Sequence, residues 1–206
     1  LLVDFDSQGN MSTGVGISKD KPSIWEFMDD DSLAEKAIKH TEIANLDAIS
    51  ADESLAVAAI ELADKDVVSK EERNFILKET LEPLRERYDY ILIDCPPSLG
   101  ILTLNGLVAA DAVLVPMQCE YFALEGITLL LQTVKQVQKT DNPNLVLGGI
   151  FFTMYAMCRH ISRKPFSIRL SPATSAFQKL RRMENRFAFT TRLAWAQKAT
   201  GNLRKR

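Results

Sequence analysis

Histidine and cysteine are scarce in this sequence. Two histidines, His40 and His160, and three cysteines, Cys95, Cys119 and Cys158, are scattered over 206 residues. Neither set has the close spacing of metal ligands, so a zinc site of the usual motif type is excluded. The cysteines read as small buried hydrophobes in a chain expected in a reducing cytosol. No run approaches about 18 consecutive apolar residues, the length a membrane-spanning helix requires. Also missing is any Gly-Lys-Ser/Thr tripeptide. Without it, the sequence lacks the lysine and hydroxyl with which a phosphate loop meets phosphate and Mg²⁺.

Acidic residues are missing from one region only. Residues 158–206 hold 13 Lys/Arg and a single acid, Glu184, a balance of +12, whereas residues 1–157 hold 12 Lys/Arg against 26 Asp/Glu, a balance of −14. The formal net charge of −2 conceals this division. A basic arm for nucleic acid is one reading. Trp195, Phe187 and Phe189 interleaved with Arg181, Arg182, Arg186 and Arg192 have the composition of a single-strand-binding surface. Out-of-frame translation gives the same mixture and the same loss of acids, and it is the preferred reading. The expected organisation is one domain over 1–157 and a basic tail over 158–206.

Two strand ends carry the chemistry. Tyr88-Asp89-Tyr90-Ile91-Leu92-Ile93 runs into Asp94, followed by Cys95-Pro96-Pro97-Ser98-Leu99-Gly100. This predicts a buried parallel strand that delivers Asp94 to a stiff turn, where ligands of open α/β sheets bind. Leu1-Leu2-Val3 runs likewise into Asp4-Phe5-Asp6. Strict strand alternation would put Asp4 and Asp6 on one face, mutually repelling unless a cation or water lies between them.

The remaining pattern alternates helices and strands. Helices are expected at 23–28 (capped by Ser23), 32–39, 55–62, 70–87 with a break at Pro83, 103–110 and 124–139, and strands at 45–51, 112–116 and 145–154. His40 and His160 are expected to be exposed or satisfied. Ser12 and Thr13 follow no lysine that would make them phosphate-loop hydroxyls.

Three stretches together resemble the ParA/Soj chromosome- and plasmid-partition ATPases, relatives of MinD with a deviant phosphate loop. They are Asp4-Phe5-Asp6-Ser7-Gln8-Gly9-Asn10, Asp94-Cys95-Pro96-Pro97-Ser98-Leu99-Gly100, and the run from Val115 to Gly126. Ser7 stands where the family usually has proline, and the likeness ends near Tyr155. The resemblance implies a P-loop NTPase-like α/β fold, a parallel sheet flanked by helices, here lacking the strand that carries the phosphate loop. In the family that loop lies roughly thirty residues before the Asp4 strand, so an amino-terminal truncation is expected.

By resemblance, Asp6 would position the attacking water, Asp4 would support the Mg²⁺ shell, Asp94 would hold Mg²⁺ through water, and Gly100 would be the hinge sensing the γ-phosphate. Gln118 to Gly126 matches a segment near the family's dimer face. ATP and Mg²⁺ are the implied cofactors. A ParB-type protein, non-specific DNA and a second copy of the chain are the implied partners, in the cytoplasm at the nucleoid and without a membrane. The alternatives are a non-enzymatic remnant or basic nucleic-acid-binding module, and a MinD-like cell-division ATPase. The chain as written is expected to be inactive and poorly soluble alone.

Overall fold

A computed structural model describes residues 1–64, 69–118 and 123–153. The described residues fall into two compact units, 1–111 with 123–145, and 112–118 with 146–153.

The first unit is built on a four-stranded sheet. Its strands are β1 (Leu2–Asp4), β2 (Ile38–His40), β3 (Asp47–Ile49) and β4 (Leu92–Asp94), in the order β2-β3-β1-β4. β1 lies parallel to both β3 and β4, as the βαβ pattern requires. Val3, Phe5 and Ile49 are fully buried in a core shared with Ile24, Phe27, Leu55 and Leu77 from helices and Leu84 from a 3₁₀ turn. The helices of this unit are α1 (Asn10–Gly14), α2 (Ile24–Asp29), α3 (Ala34–Ala37), α4 (Ser54–Ala63), α5 (Lys70–Arg73), α6 (Ile76–Leu81), α7 (Ile101–Ala109) and α8 (Ala123–Thr140).

The start of α2 follows its sequence signal. Glu26 reaches back to accept from the Ser23 amide at 2.9 Å and the Ser23 hydroxyl at 2.6 Å. Desolvation pushes the Glu26 carboxyl up, but Lys21, the Ser23 hydroxyl and the Ser23 amide outweigh it and hold the group at about 2.

Two expectations fail for identifiable reasons. The helix expected at 32–39 is a 3₁₀ turn (Asp31–Leu33) and the short α3, after which the chain becomes β2, antiparallel to β3. Lys39 secures that strand by donating to the Ser18 carbonyl, the Asp20 carbonyl and the Ser50 hydroxyl. The sheet is therefore mixed at this edge rather than wholly parallel.

The helix expected at 70–87 is interrupted at Asn74 and Phe75, ahead of a 3₁₀ turn at Glu82–Leu84 that contains Pro83. Asn105 of α7 causes the early break. A continuous helix would join the Leu77 amide to the Arg73 carbonyl. Instead Asn105 Oδ1 accepts from Leu77 N at 3.2 Å, and its Nδ2 donates to Arg73 O at 2.8 Å. The Asn105 amide is spliced into one missing backbone bond. Asn105 is fully buried, so Asn105→Ala strands two backbone groups and is expected to cost about 2–3 kcal/mol. Urea unfolding with an unchanged m-value would measure that loss directly.

Asn142 performs a related task after α8. Its Nδ2 donates to the carbonyls of Leu107, Val108 and Ala110 and so closes the carboxyl end of α7.

In the second unit the described residues form a parallel pair, β5 (Ala112–Gln118) and β6 (Val146–Thr153). The register shifts between Val113 and Leu114. Cys119, the segment 119–122 of the motif ending at Gly126, His160, Cys158 and the whole basic tail lie outside the described residues.

Candidate functional site

β1 and β4 end together. Asp4 and Asp94 are register partners, and the Phe5 amide donates to the Asp94 carbonyl at 2.8 Å, so both aspartates sit at the carboxyl pole of the sheet. Beyond Asp4 the strand stops, and the expected alternation with Asp6 does not hold. The chain turns, because the Asp6 amide donates to Asp4 Oδ1 at 3.3 Å and the Gly9 amide to the Asp6 carbonyl at 2.8 Å. Gln8 N donates to Asp6 Oδ1 at 3.1 Å, which orients that half-buried carboxylate. Gly9 has φ 60°, and a Cβ there would lie 2.9 Å from the Ala51 carbonyl and 2.6 Å from the Lys19 side chain. Only glycine suits the position.

Asp4 needs no cation to answer its charge. It is 0% exposed, and its Oδ2 accepts from the Ser12 amide at 2.8 Å and the Ser12 hydroxyl at 2.6 Å. The sequence argument from repulsion between Asp4 and Asp6 missed this partner. The signal that could have found it is a hydroxyl residue eight positions on, in a segment short enough to fold back on the strand end.

Asp94 is different. It is open along one side, yet its carboxyl is raised above the ordinary range, first by partial desolvation and then by Asp4 and Asp6. No hydrogen bond within the described residues offsets this on its side chain. Cys95 follows it with a thiol pushed up to about 12 by burial, then by Asp94 and Asp6. A thiol held there is no nucleophile near neutral pH. Its sulfur also occupies the space over Gly106, where a Cβ would come within 2.5 Å.

The loop after Asp94 is tied to α7 through Thr103, whose hydroxyl donates to the carbonyls of Pro96 at 3.2 Å and Ser98 at 2.5 Å. Gly100 precedes α7 with φ −92° and ψ −166°, extended backbone open to any residue, and a Cβ there would touch only Ser98 Oγ at 3.9 Å. Lys19, which lies outside any Gly-rich context, donates through its Nζ to the Gln8 carbonyl at 2.7 Å. His40 lies on β2 and meets Asp47 Oδ1 at 2.6 Å, an exposed pairing on another part of the sheet.

Two carboxylates open to this pole, Asp6 and Asp94, fit Mg²⁺, which takes one or two carboxylates and keeps most of its waters. Among the described residues no cage of three or more His, Cys, Asp or Glu is arranged to enclose a metal by itself. Asp94 and Asp6 would face such an ion, which would neutralise negative charge at this pole. The triphosphate of ATP is not matched in the same way, since no Gly-Lys-Ser/Thr loop occurs in the 206 residues.

The raised Asp94 carboxyl has a pH consequence. Between the ordinary value of 3.8 and the raised folded value, the folded chain holds the extra proton. Stability therefore falls as pH rises through that window. Asp94→Asn is expected to melt higher than the parent at pH 7 and alike below the window. Equal melting temperatures at pH 7 would contradict the electrostatic reading.

The AAA-domain family model matches residues 1–147. The chain is 52% identical over 155 residues to the chromosome-partitioning ATPase Soj of Treponema pallidum, a match covering 75% of this chain and 59% of the relative. It is 48% identical over 156 residues to the sporulation initiation inhibitor protein Soj of Bacillus subtilis, covering 75% and 60%. The chain thus spans about 60% of the length of these curated relatives. Among solved structures, a cobyrinic acid a,c-diamide synthase of Mycobacterium smegmatis with a bound ATP analogue and magnesium aligns with a TM-score of 0.68 at 34% identity, covering 85% of this chain and 75% of that one. A plasmid partition protein of Borrelia burgdorferi shares the fold with a TM-score of 0.60 at 23% identity, covering 92% and 84%. The chain belongs to this AAA-domain family, with the Soj and ParA partition ATPases as its relatives.

Proposed function

We propose that this chain is the carboxylate-bearing part of a ParA-type ATPase for chromosome or plasmid partitioning. The observation that carries the reading is the convergence of Asp4, Asp6 and Asp94 at the paired ends of β1 and β4, within a sequence half identical to Soj. In this reading Asp94 holds Mg²⁺ through water, and Asp4 supports that shell from behind. Asp6 orients the attacking water, and Gly100 is the hinge of the loop that responds to the γ-phosphate. Bound Mg²⁺ would supply charge neutralisation at the phosphates. The phosphate cradle itself must come from a loop of the family's type, which these residues do not contain.

The whole protein would dimerise with ATP, bind DNA without sequence preference, and hydrolyse ATP when stimulated by a ParB-type partner at the nucleoid, in the cytoplasm. Among the described residues no helix is long and apolar enough to cross a membrane. The basic tail over 158–206 supports a second reading, a nucleic-acid-binding module that does not need ATP.

Electrophoretic DNA binding separates the two. With residues 1–153 joined to a phosphate loop of the family's type, retention is expected only with ATP. ATP-independent retention by the 206-residue chain, lost on removing 158–206 and weakened by salt, would favour the second reading instead.

A further inference from the structure

We propose that Ser12 is a positioning residue for Asp6, acting through the buried Asp4 carboxylate. The role assigned to Asp6 rests on the ATPase reading, whereas the way Asp6 is held does not.

The contacts form a closed circuit. Asp4 Oδ2 receives both donors of Ser12, the amide at 2.8 Å and the hydroxyl at 2.6 Å. Asp4 Oδ1 receives the Asp6 amide at 3.3 Å. The Asp6 carbonyl receives Gly9 N at 2.8 Å, and the Gly9 carbonyl receives Thr13 N at 3.2 Å, one residue beyond Ser12. Asp4 and Ser12 are each 0% exposed, so no water replaces a donor lost inside this circuit. One oxygen of Asp4 thus faces α1 and the other faces the turn. Whatever sets the rotation of that carboxylate also sets where the Asp6 amide rests, and with it the Asp6 side chain oriented by Gln8 N.

The Ser12 hydroxyl is the element of the circuit that a side chain controls. Hydrogen bonds from a hydroxyl to a carboxylate are among the stronger ones, and a buried acceptor left short of donors is costly. In Ser12→Ala, Asp4 Oδ2 keeps one donor of two, so the α1 side no longer fixes the rotation of the carboxylate and its bond to Asp6 N loosens with it. Elsewhere among the described residues the turn is braced at Gln8, whose carbonyl takes Lys19 Nζ at 2.7 Å, and at Gly9, whose carbonyl takes the Thr13 hydroxyl at 3.1 Å. Neither contact touches Asp6 itself.

Two readouts on the 206-residue chain test this. The first is amide hydrogen exchange at Gln8 and Gly9, the turn amides that point at Asp6. Ser12→Ala is expected to speed both by about tenfold relative to Val3 and Ile49 in the sheet, and Ser12→Thr, which keeps the hydroxyl, to match the parent. The second is titration with Mn²⁺ alone as a probe of the Asp6 and Asp94 carboxylates. Ser12→Ala is expected to weaken Mn²⁺ several-fold, with recovery in Ser12→Thr.

Unchanged exchange at Gln8 and Gly9 overturns the proposal. So does acceleration by the same factor at Val3 and Ile49, which marks a merely structural role, or a loosened turn with unaltered Mn²⁺ affinity. If the parent itself binds no Mn²⁺, the ATPase reading loses its support, and the exchange comparison alone decides how Asp6 is held. Should Ser12→Ala not fold, Ser12→Cys, with a weaker donor of similar size, carries the same comparison.

Discussion

Asp6→Ala, in a protein joining residues 1–153 to a phosphate loop of the family's type, is expected to bind Mg-ATP as its parent does and to turn it over at least about 10²-fold more slowly. A positioned group that accepts from or orients the attacking water commonly contributes 10²–10⁴-fold. The frame around Asp6 survives the substitution, because its contact to Asp4 runs through the backbone amide and its contact to Gly9 through the backbone carbonyl. Only the acceptor of Gln8 N is lost, and that amide is exposed. The variant should therefore separate chemistry from binding. Single-turnover hydrolysis alongside calorimetric ATP affinity measures both. A fall in affinity matching the fall in rate would show Asp6 to be a structural residue.

Residues 1–206 alone are expected to show no calorimetric binding of Mg-ATP. Micromolar affinity needs about −8 kcal/mol, and for a triphosphate most of it comes from backbone N–H groups in a nest and from lysine. The lysines that hydrogen-bond around this pole already have partners. Lys19 donates to Gln8 O, Lys21 pairs with Glu26, and Lys39 is shared among Ser18, Asp20 and Ser50. Recruiting any of them would break a bond that holds the loop from Ser18 to Asp20 or the start of α2. Micromolar affinity in this chain would show that the site is assembled in some other way.

Much of the architecture was legible because its strands are short apolar runs ending on a single acid. Leu2-Val3-Asp4 and Leu92-Ile93-Asp94 announce both the parallel pairing and the carboxylates at its carboxyl end. Ser23 announced the start of α2, and Glu26 three residues later completes the cap. The failures share one cause, a side chain from a distant segment overriding local pattern. Asn105 breaks the 70–87 helix from 28 residues away at Leu77. Lys39 ties down a strand whose sequence, Ile38-Lys39-His40, continues a helical pattern.

The candidate site divides in the same manner. Asp6 and Asp94 were readable as residue types in a motif, whereas the burial of Asp4 and its commitment to Ser12 depend on α1 folding back against β1. Gly100 drew attention as glycine in a recognisable motif, but its backbone is extended and would accept other residues. If it acts as a hinge, that freedom matters in another conformation.

The central claim is that the carboxylates at the ends of β1 and β4 form half of an ATPase site that a phosphate loop completes. The most direct test is steady-state ATP turnover by residues 1–153 joined to such a loop, measured with and without Mg²⁺. The account predicts slow hydrolysis that requires Mg²⁺ and is lost in Asp6→Ala. A folded protein that binds Mg-ATP with micromolar affinity but shows no turnover, or whose turnover is unchanged by Asp6→Ala, would contradict it.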